Sequence, residues 1–188
     1  MQNINYRLKV FFSILLLQLV LVSCEKETRE TDDYQIITSI LNASFSKETD
    51  QENRKFCENS DASYGSLLLE QETTLKPDIY RAIENHIKNE QLTDFSITDF
   101  KTSTFWDIKK ITGYQRYRLK AFTSQSLTAP YIGKLKTSNI SYNPTFDKAL
   151  VYVAFYCSDD SHCGFSTLYQ LKKEEKWIFE KETILSVF

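Results

Sequence analysis

Two cysteines and the polar residues between them are the group in this chain best placed for chemistry. Cys157 and Cys163 are separated by five residues that include Asp159, Asp160 and His162. Apolar runs flank this segment on both sides, so the pattern predicts a β-hairpin whose facing cysteines are close enough for a disulfide. Free thiols are one alternative. A metal site is another, although adjacent residues of a strand point to opposite faces and ligands would not converge. A redox site is a third, although the chain has no C-x-x-C at a helix start.

The acidic pair in the predicted hairpin loop is a candidate recognition site. Asp159 and Asp160 cannot be buried unpaired at a reasonable cost in free energy. We therefore expect an exposed, rigid turn whose tip meets water or a cationic partner.

A second candidate site is a row of cations on a predicted strand. Residues 114–122 alternate, with Arg116, Arg118 and Lys120 on one side and apolar residues on the other. Such a strip would suit an anionic ligand such as a sugar acid or a phosphate. The alternative is a solvated strand face, opposed by acids on the neighbouring strand, that protects the sheet from edge pairing.

No catalytic motif is present. The chain lacks G-x-S-x-G, H-E-x-x-H and Walker sequences, and it has only two histidines. His86 falls on the apolar face of a predicted helix, where a histidine is usually a core residue. We predict no catalytic residue, no metal and no cofactor. The alternative is a glycan-handling accessory protein or a hydrolase of the cell surface, with Trp106 and Tyr131 as aromatic platforms and carboxylates nearby.

The N-terminus is typical of an export signal. Arg7 and Lys9 precede an apolar run over 10–22 that is too short to span a bilayer. The run ends in Leu21-Val22-Ser23-Cys24, which resembles the lipobox of bacterial lipoproteins. The resemblance implies that residues 1–23 are removed and that Cys24 is acylated, anchoring the chain in a membrane.

The segment after the cysteine is predicted to be an acidic tether over residues 24–33. With the signal removed, 21 basic and 25 acidic residues remain, a formal charge of about −4. A net negative charge of this size does not indicate a nucleic-acid-binding protein, which is typically basic. Once Cys24 is acylated and the hairpin cysteines are paired, Cys57 is the odd thiol, expected to be buried or free.

The rest of the chain, residues 34–188, is predicted to be a single α+β domain. Aromatic residues make up 14% of the chain, which favours sheet. Asp32 and Gln35 have capping-box spacing and predict the start of one helix; Pro77 predicts the start of a second. Residues 67–74 fit a strand or a helix start. From about residue 137 to the end we expect an antiparallel meander of about four strands, packed against the two helices.

The last 50 residues or so contain four short segments in a distinctive order: Ala149-Leu150-Val151-Tyr152-Val153, Cys163-Gly164, Leu168-Tyr169-Gln170-Leu171 and Lys176-Trp177-Ile178. In these segments the C-terminal region resembles a family of uncharacterised bacterial envelope lipoproteins. The resemblance implies a fold and a location but no activity. We therefore expect a non-catalytic binding or interaction module of the cell envelope, with an envelope protein or a glycan as its partner.

Overall fold

The computed structural model describes residues 28–45, 66–114, 117–123, 131–157 and 163–187. The chain divides into two compact units, Met1–Tyr34 and Gln35–Phe188. In the first unit residues 28–34 are helical, so Asp32 lies inside a helix and does not begin one. Arg29 and Glu30 are good helix formers, which outweighs the capping-box spacing. None of the helices in the described ranges is long and apolar enough to cross a membrane.

The second unit is built on a seven-stranded mixed sheet, which confirms the α+β class. Its strands run in the order β2-β1-β3-β5-β6-β7, and β4 pairs with β5 beside this path. The strands are β1 (Ser66–Glu70), β2 (Arg118–Ala121), β3 (Gly133–Thr137), β4 (Ser141–Tyr142), β5 (Lys148–Cys157), β6 (Gly164–Lys173) and β7 (Trp177–Val187). The helices are α1 (residues 28–44), α2 (Pro77–Asn89) and α3 (Ile97–Phe100), and a 3₁₀ turn spans Ile108–Lys110.

The predicted C-terminal meander is present, but the sheet is larger than four strands. Strands β4 to β7 pair antiparallel in sequence, with β5–β6 as the central hairpin. Strand β1 runs parallel to both β2 and β3. Leu67, Leu68 and Leu69 are at most 1% exposed, and β1 lies between β2 and β3 in the sheet. A strand buried on both faces has a continuous apolar sequence without alternation, which is why its periodicity was uninformative.

One face of the sheet, the α1 face, is covered by α1. Ile36, Ile37 and Ile40 of α1 are buried there. The Ser39 hydroxyl donates to the Trp177 carbonyl at 2.8 Å, and the Ser44 and Tyr169 hydroxyls are 2.6 Å apart. These bonds fix the helix to the two C-terminal strands.

The opposite face, the α2 face, carries a second core beneath α2 and α3. Its buried residues come from the two helices with their connections and from β5 and β6, and are Leu75, Ile83, Ile87, Phe95, Phe100, Leu150, Tyr152, Ala154 and Leu168. Ile83 and Ile87 are buried as the helical periodicity predicts. His86 is only half-buried, and Ala82, which the same pattern places inside, is exposed. The inner stripe of α2 is therefore narrower than predicted.

Gly133, at the start of β3, allows a close approach between strands. A Cβ built there would lie 2.4 Å from the Phe155 ring and 2.6 Å from the Tyr156 carbonyl oxygen. Only glycine fits this contact, which holds β3 tightly against β5.

A cationic patch on the sheet

A cluster of basic residues occupies the α2 face where β1, β2 and β3 lie side by side. We call Arg118, Lys120, Lys134 and Lys136 the cationic patch. Arg118 and Lys120 alternate along β2, and Lys134 and Lys136 alternate along β3. Residues that pair across strands share a face, and Lys134 pairs with Tyr156 on the side of the α2 core.

The register places the patch around one leucine. Leu68 of β1 pairs with Lys120 on one side and with Lys134 on the other. Neighbouring strands are about 4.8 Å apart, so the Cα atoms of Lys120 and Lys134 are about 10 Å apart across the sheet. Leu68 itself is 1% exposed. The two lysine side chains are half-buried, so each has a buried stem and an accessible head group.

In the described ranges one acidic side chain, that of Glu70, pairs with a member of the patch. Glu70 pairs with Lys136 in the β1–β3 register, and the Lys136 ammonium donates to Glu70 Oε1 at 2.7 Å. Within the described residues, no acidic side chain is at ion-pair distance from Arg118, Lys120 or Lys134. The patch therefore has an excess of about three positive charges.

The alternative of a strand face neutralised from its neighbour does not fit this register. The β1 residues opposite Arg118 and Lys120 are Ser66 and Leu68, and neither carries a charge. Strand β2 does lie at an end of the sheet, as the edge-protection argument requires. Edge protection and ligand binding can use the same side chains, since both depend on solvated charges.

Two aromatic rings hold the central lysine of the patch. The Lys134 ammonium lies 4.7 Å from the centroid of the Phe122 ring and 5.1 Å from that of Tyr156. Both distances are within the range of a cation–π interaction. The rings restrict the lysine head group without neutralising it, so it still attracts anions.

Tyr156 adds a neutral hydrogen-bonding group at the margin of the patch. Burial raises the pKa of its phenol, and the negative charges of Glu70 and Asp78 raise it further. The phenol therefore stays protonated at neutral pH and can donate a hydrogen bond. Tyr152, two residues earlier, is 3% exposed, and burial raises its pKa to about 12. It is a core residue and is not part of the patch.

The predicted hairpin cysteines lie opposite each other, as expected. Cys157 and Cys163 have their sulfurs at disulfide distance, 2.06 Å, and the Cys157 amide donates to the Cys163 carbonyl at 2.9 Å. The recognition loop, the lipidation signal, the odd thiol and part of the cationic strip lie outside the described ranges; among their residues are Cys24, Cys57, Arg116, Asp159, Asp160 and His162.

The aromatic platform predicted at Trp106 is wrong. Trp106 is 1% exposed, and its indole nitrogen donates to the Thr137 hydroxyl at 2.7 Å. A ring buried in this way cannot stack on a sugar. Tyr131 is half-buried next to the start of β3, and the two rings do not form a shared surface.

Half of the patch was missed from the sequence. Lys134 and Lys136 belong to the segment Gly133-Lys134-Leu135-Lys136-Thr137, whose strict alternation of polar and apolar residues would have revealed a half-buried strand. No sequence signal could have placed this strand beside β1, because that contact joins residues more than 60 positions apart. In the described ranges no group of three metal-ligating side chains converges.

Comparison with protein-family models, with curated proteins and with solved structures finds no match to this chain.

Proposed function

We propose that this protein is a lipid-anchored, non-catalytic binding protein of the bacterial cell envelope, and that the cationic patch binds its ligand. The anchor is supported by the charged start, the short apolar run and the Leu21-to-Cys24 sequence. The binding role rests on one observation. Three cations share a sheet face with no acidic partner among the described residues, although the chain as a whole carries a net negative charge.

The local charge makes an anionic ligand the favoured one. Like charges about 10 Å apart repel each other, and a bound carboxylate, sulfate or phosphate relieves that repulsion. The Arg118 guanidinium can bind such a group through two hydrogen bonds, while lysines act as point charges. Binding of this kind weakens with salt, because the patch is partly exposed to solvent.

The arrangement favours an extended ligand with several anionic groups. Lys120 and Lys134 lie on different strands, and Arg118 is about 7 Å from Lys120 along β2. A single carboxylate cannot reach all three. An acidic polysaccharide of the envelope or an acidic segment of an envelope protein can, and the Phe122 and Tyr156 rings offer a sugar an apolar surface.

A matched pair of polymers tests the proposal. We expect the full chain to bind an immobilised polyuronate at low salt and not to bind the same polymer after methyl esterification, which removes the charge. Arg118→Ala with Lys120→Ala should reduce the affinity about ten-fold or more. The control is Lys88→Ala with Lys176→Ala, which removes two exposed positive charges from α2 and from the β6–β7 turn.

The comparison of the two double variants decides the outcome. If both reduce binding equally, the polymer responds to net charge alone and the patch is not a site. If the methyl ester binds as well as the polyuronate, the ligand is not recognised by its charge. Either result contradicts the proposal.

A further inference from the structure

The last strand carries an unusual share of the exposed apolar side chains. Phe179, Ile184 and Val187 of β7 are 40%, 61% and 59% exposed, and all three lie on the α1 face. Strand β7 is also an edge strand of 11 residues, paired only with β6 within the described sheet. A long edge strand with exposed apolar residues is a template for pairing with another strand.

The face that each β7 residue occupies follows from its pairing with β6. Two irregularities shift the register, so that Glu180 and Leu185 have no partner in β6. Glu180 accepts a hydrogen bond from the Gln170 side chain, and Leu185 packs against the α2 core. Both therefore lie on the α2 face. The residues of the α2 face are Ile178, Glu180, Lys181, Thr183, Leu185 and Ser186, and those of the α1 face are Trp177, Phe179, Glu182, Ile184 and Val187.

The assignment of β7 residues to the two faces is symmetric about Thr183: residues equally far before and after it lie on the same face. Glu182 and Ile184 lie on one face, Lys181 and Leu185 on the other, and Phe179 and Val187 again on the first. No other residue from 180 to 186 is the centre of such a pattern, because the two irregularities break the alternation. Two copies of β7 that pair antiparallel about a two-fold axis must oppose residues of the same face. Pairing centred on Thr183 meets this condition over residues 179–187.

The positions of the charged residues of β7 also favour Thr183 as the centre of the pairing. If Lys181 or Glu182 lay on the axis, each would face its own copy, and like charges directly opposite are destabilising. With Thr183 on the axis, Lys181 faces Leu185, Glu182 faces Ile184, and no like charges are opposed. Phe179 then faces Val187 at both ends, so each exposed aromatic ring gains an apolar partner.

We infer that β7 is the interface of a homodimer, in which two copies pair antiparallel about a two-fold axis at Thr183 and form one continuous sheet. The occupant of this edge is a second copy of the chain, because the sequence of β7 is complementary to itself in this one register. Pairing satisfies the outward backbone groups of β7 and buries its apolar residues on the α1 face. This inference is independent of the cationic patch, which lies at the other end of the sheet.

Cysteine cross-linking of the full chain tests the register. Directly opposed residues have Cα atoms about 4.5–5.5 Å apart, within the range for a disulfide. We expect Thr183→Cys to give a disulfide-linked dimer under mild oxidation. Lys181→Cys is the matched control, because its two copies would be four residues out of register, about 13 Å apart. Its exposed ion pair with Glu90 contributes little to stability.

A second pair of variants keeps the test valid if Thr183→Cys does not fold. Phe179→Cys chains mixed with Val187→Cys chains should cross-link, whereas neither should do so alone, because each residue faces the other in the dimer. Equal cross-linking by Thr183→Cys and Lys181→Cys would overturn the inference. So would a failure of the mixed chains to cross-link more than the separate ones.

Discussion

Lys136 and Glu70 face each other across the parallel strands β1 and β3, joined by a hydrogen bond of 2.7 Å between ammonium and carboxylate. Their side chains are 19% and 27% exposed, so the pair is partly shielded from water. Among the residues that the structure describes, Glu70 is the one acid paired with the cationic patch, and it neutralises one of the patch's four positive charges. It therefore limits the affinity of the patch for anions.

Replacing Glu70 should strengthen anion binding. With Glu70→Gln, Lys136 is released to the ligand and a repelling charge is removed. We expect the affinity for a polyuronate to rise about three-fold to ten-fold at low salt. The free energy of unfolding should fall by about 1 kcal/mol or less. Titrations at low and high salt check this, since the gain must disappear as salt screens the charges. An unchanged affinity at low salt would contradict the placement of Glu70 in the site.

Two buried tyrosines should make the fold sensitive to alkali. Burial raises the pKa values of Tyr152 and Tyr169 from 10.0 to about 12. The unfolded chain ionises its phenols near pH 10 while the folded chain retains these two protons. Stability is therefore constant below pH 10 and falls as the pH rises to 12, by about 2 kcal/mol for each phenol.

Phenolate absorbance and denaturant unfolding at several pH values measure this effect. The variant Tyr152→Phe with Tyr169→Phe should lose most of the pH dependence above pH 10. Tyr169→Phe alone should also cost about 1 kcal/mol at neutral pH, because the hydrogen bond to Ser44 is lost. If all phenols titrate together near pH 10, these two rings are not buried as described.

The hairpin disulfide should contribute modestly to stability. Cys157 and Cys163 are separated by six positions in the sequence. For so short a loop, the chain-entropy model gives a stabilisation of about 2 kcal/mol. Cys157→Ser should therefore lower the free energy of unfolding by about that amount. Reduction of the wild type should have the same effect and leave Cys157→Ser unchanged. Two free thiols in protein purified from the envelope would contradict the prediction.

Acylation should depend on a single residue. Metabolic labelling with a fatty-acid analogue should mark the wild-type chain and not Cys24→Ala, because Cys24 is the residue proposed to carry the lipid. Cys57→Ser is the matched control and should remain labelled. Equal labelling of wild type and Cys24→Ala would exclude the anchor.

The local elements that the sequence predicts well are those with strong amphipathic patterns. Strands β5 and β6 and helix α2 were all placed to within a few residues, because long apolar runs, turn residues and Pro77 mark their ends. The start of the first helix was wrong, since a capping pattern at Asp32 did not outweigh the helix formers before it.

The pairing of strands that are distant in the sequence could not be predicted in the same way. The parallel pairing of β1 with β2 and β3 joins segments about 50 to 65 residues apart, and no local pattern encodes such a contact. Arg118 and Lys120 were identified because they alternate on their own strand. Lys134 and Glu70 were not, because their role depends on which strands become neighbours. Trp106 was misjudged because its burial is a tertiary feature, in which Thr137, a residue distant in sequence, accepts the indole N–H.

The position of β1 also constrains the order in which the chain folds. Strand β1 lies between β2 and β3, yet both follow it in the sequence. It cannot pair with β2 until residues up to 121 are available, or with β3 until residues up to 137 are available, and contacts between such distant segments form slowly. The β5–β6–β7 meander has only short connections and is expected to form first. If the chain crosses a membrane unfolded, as the proposed signal implies, it exposes the leucines of β1 until the last stage of folding, when the cationic patch is also completed.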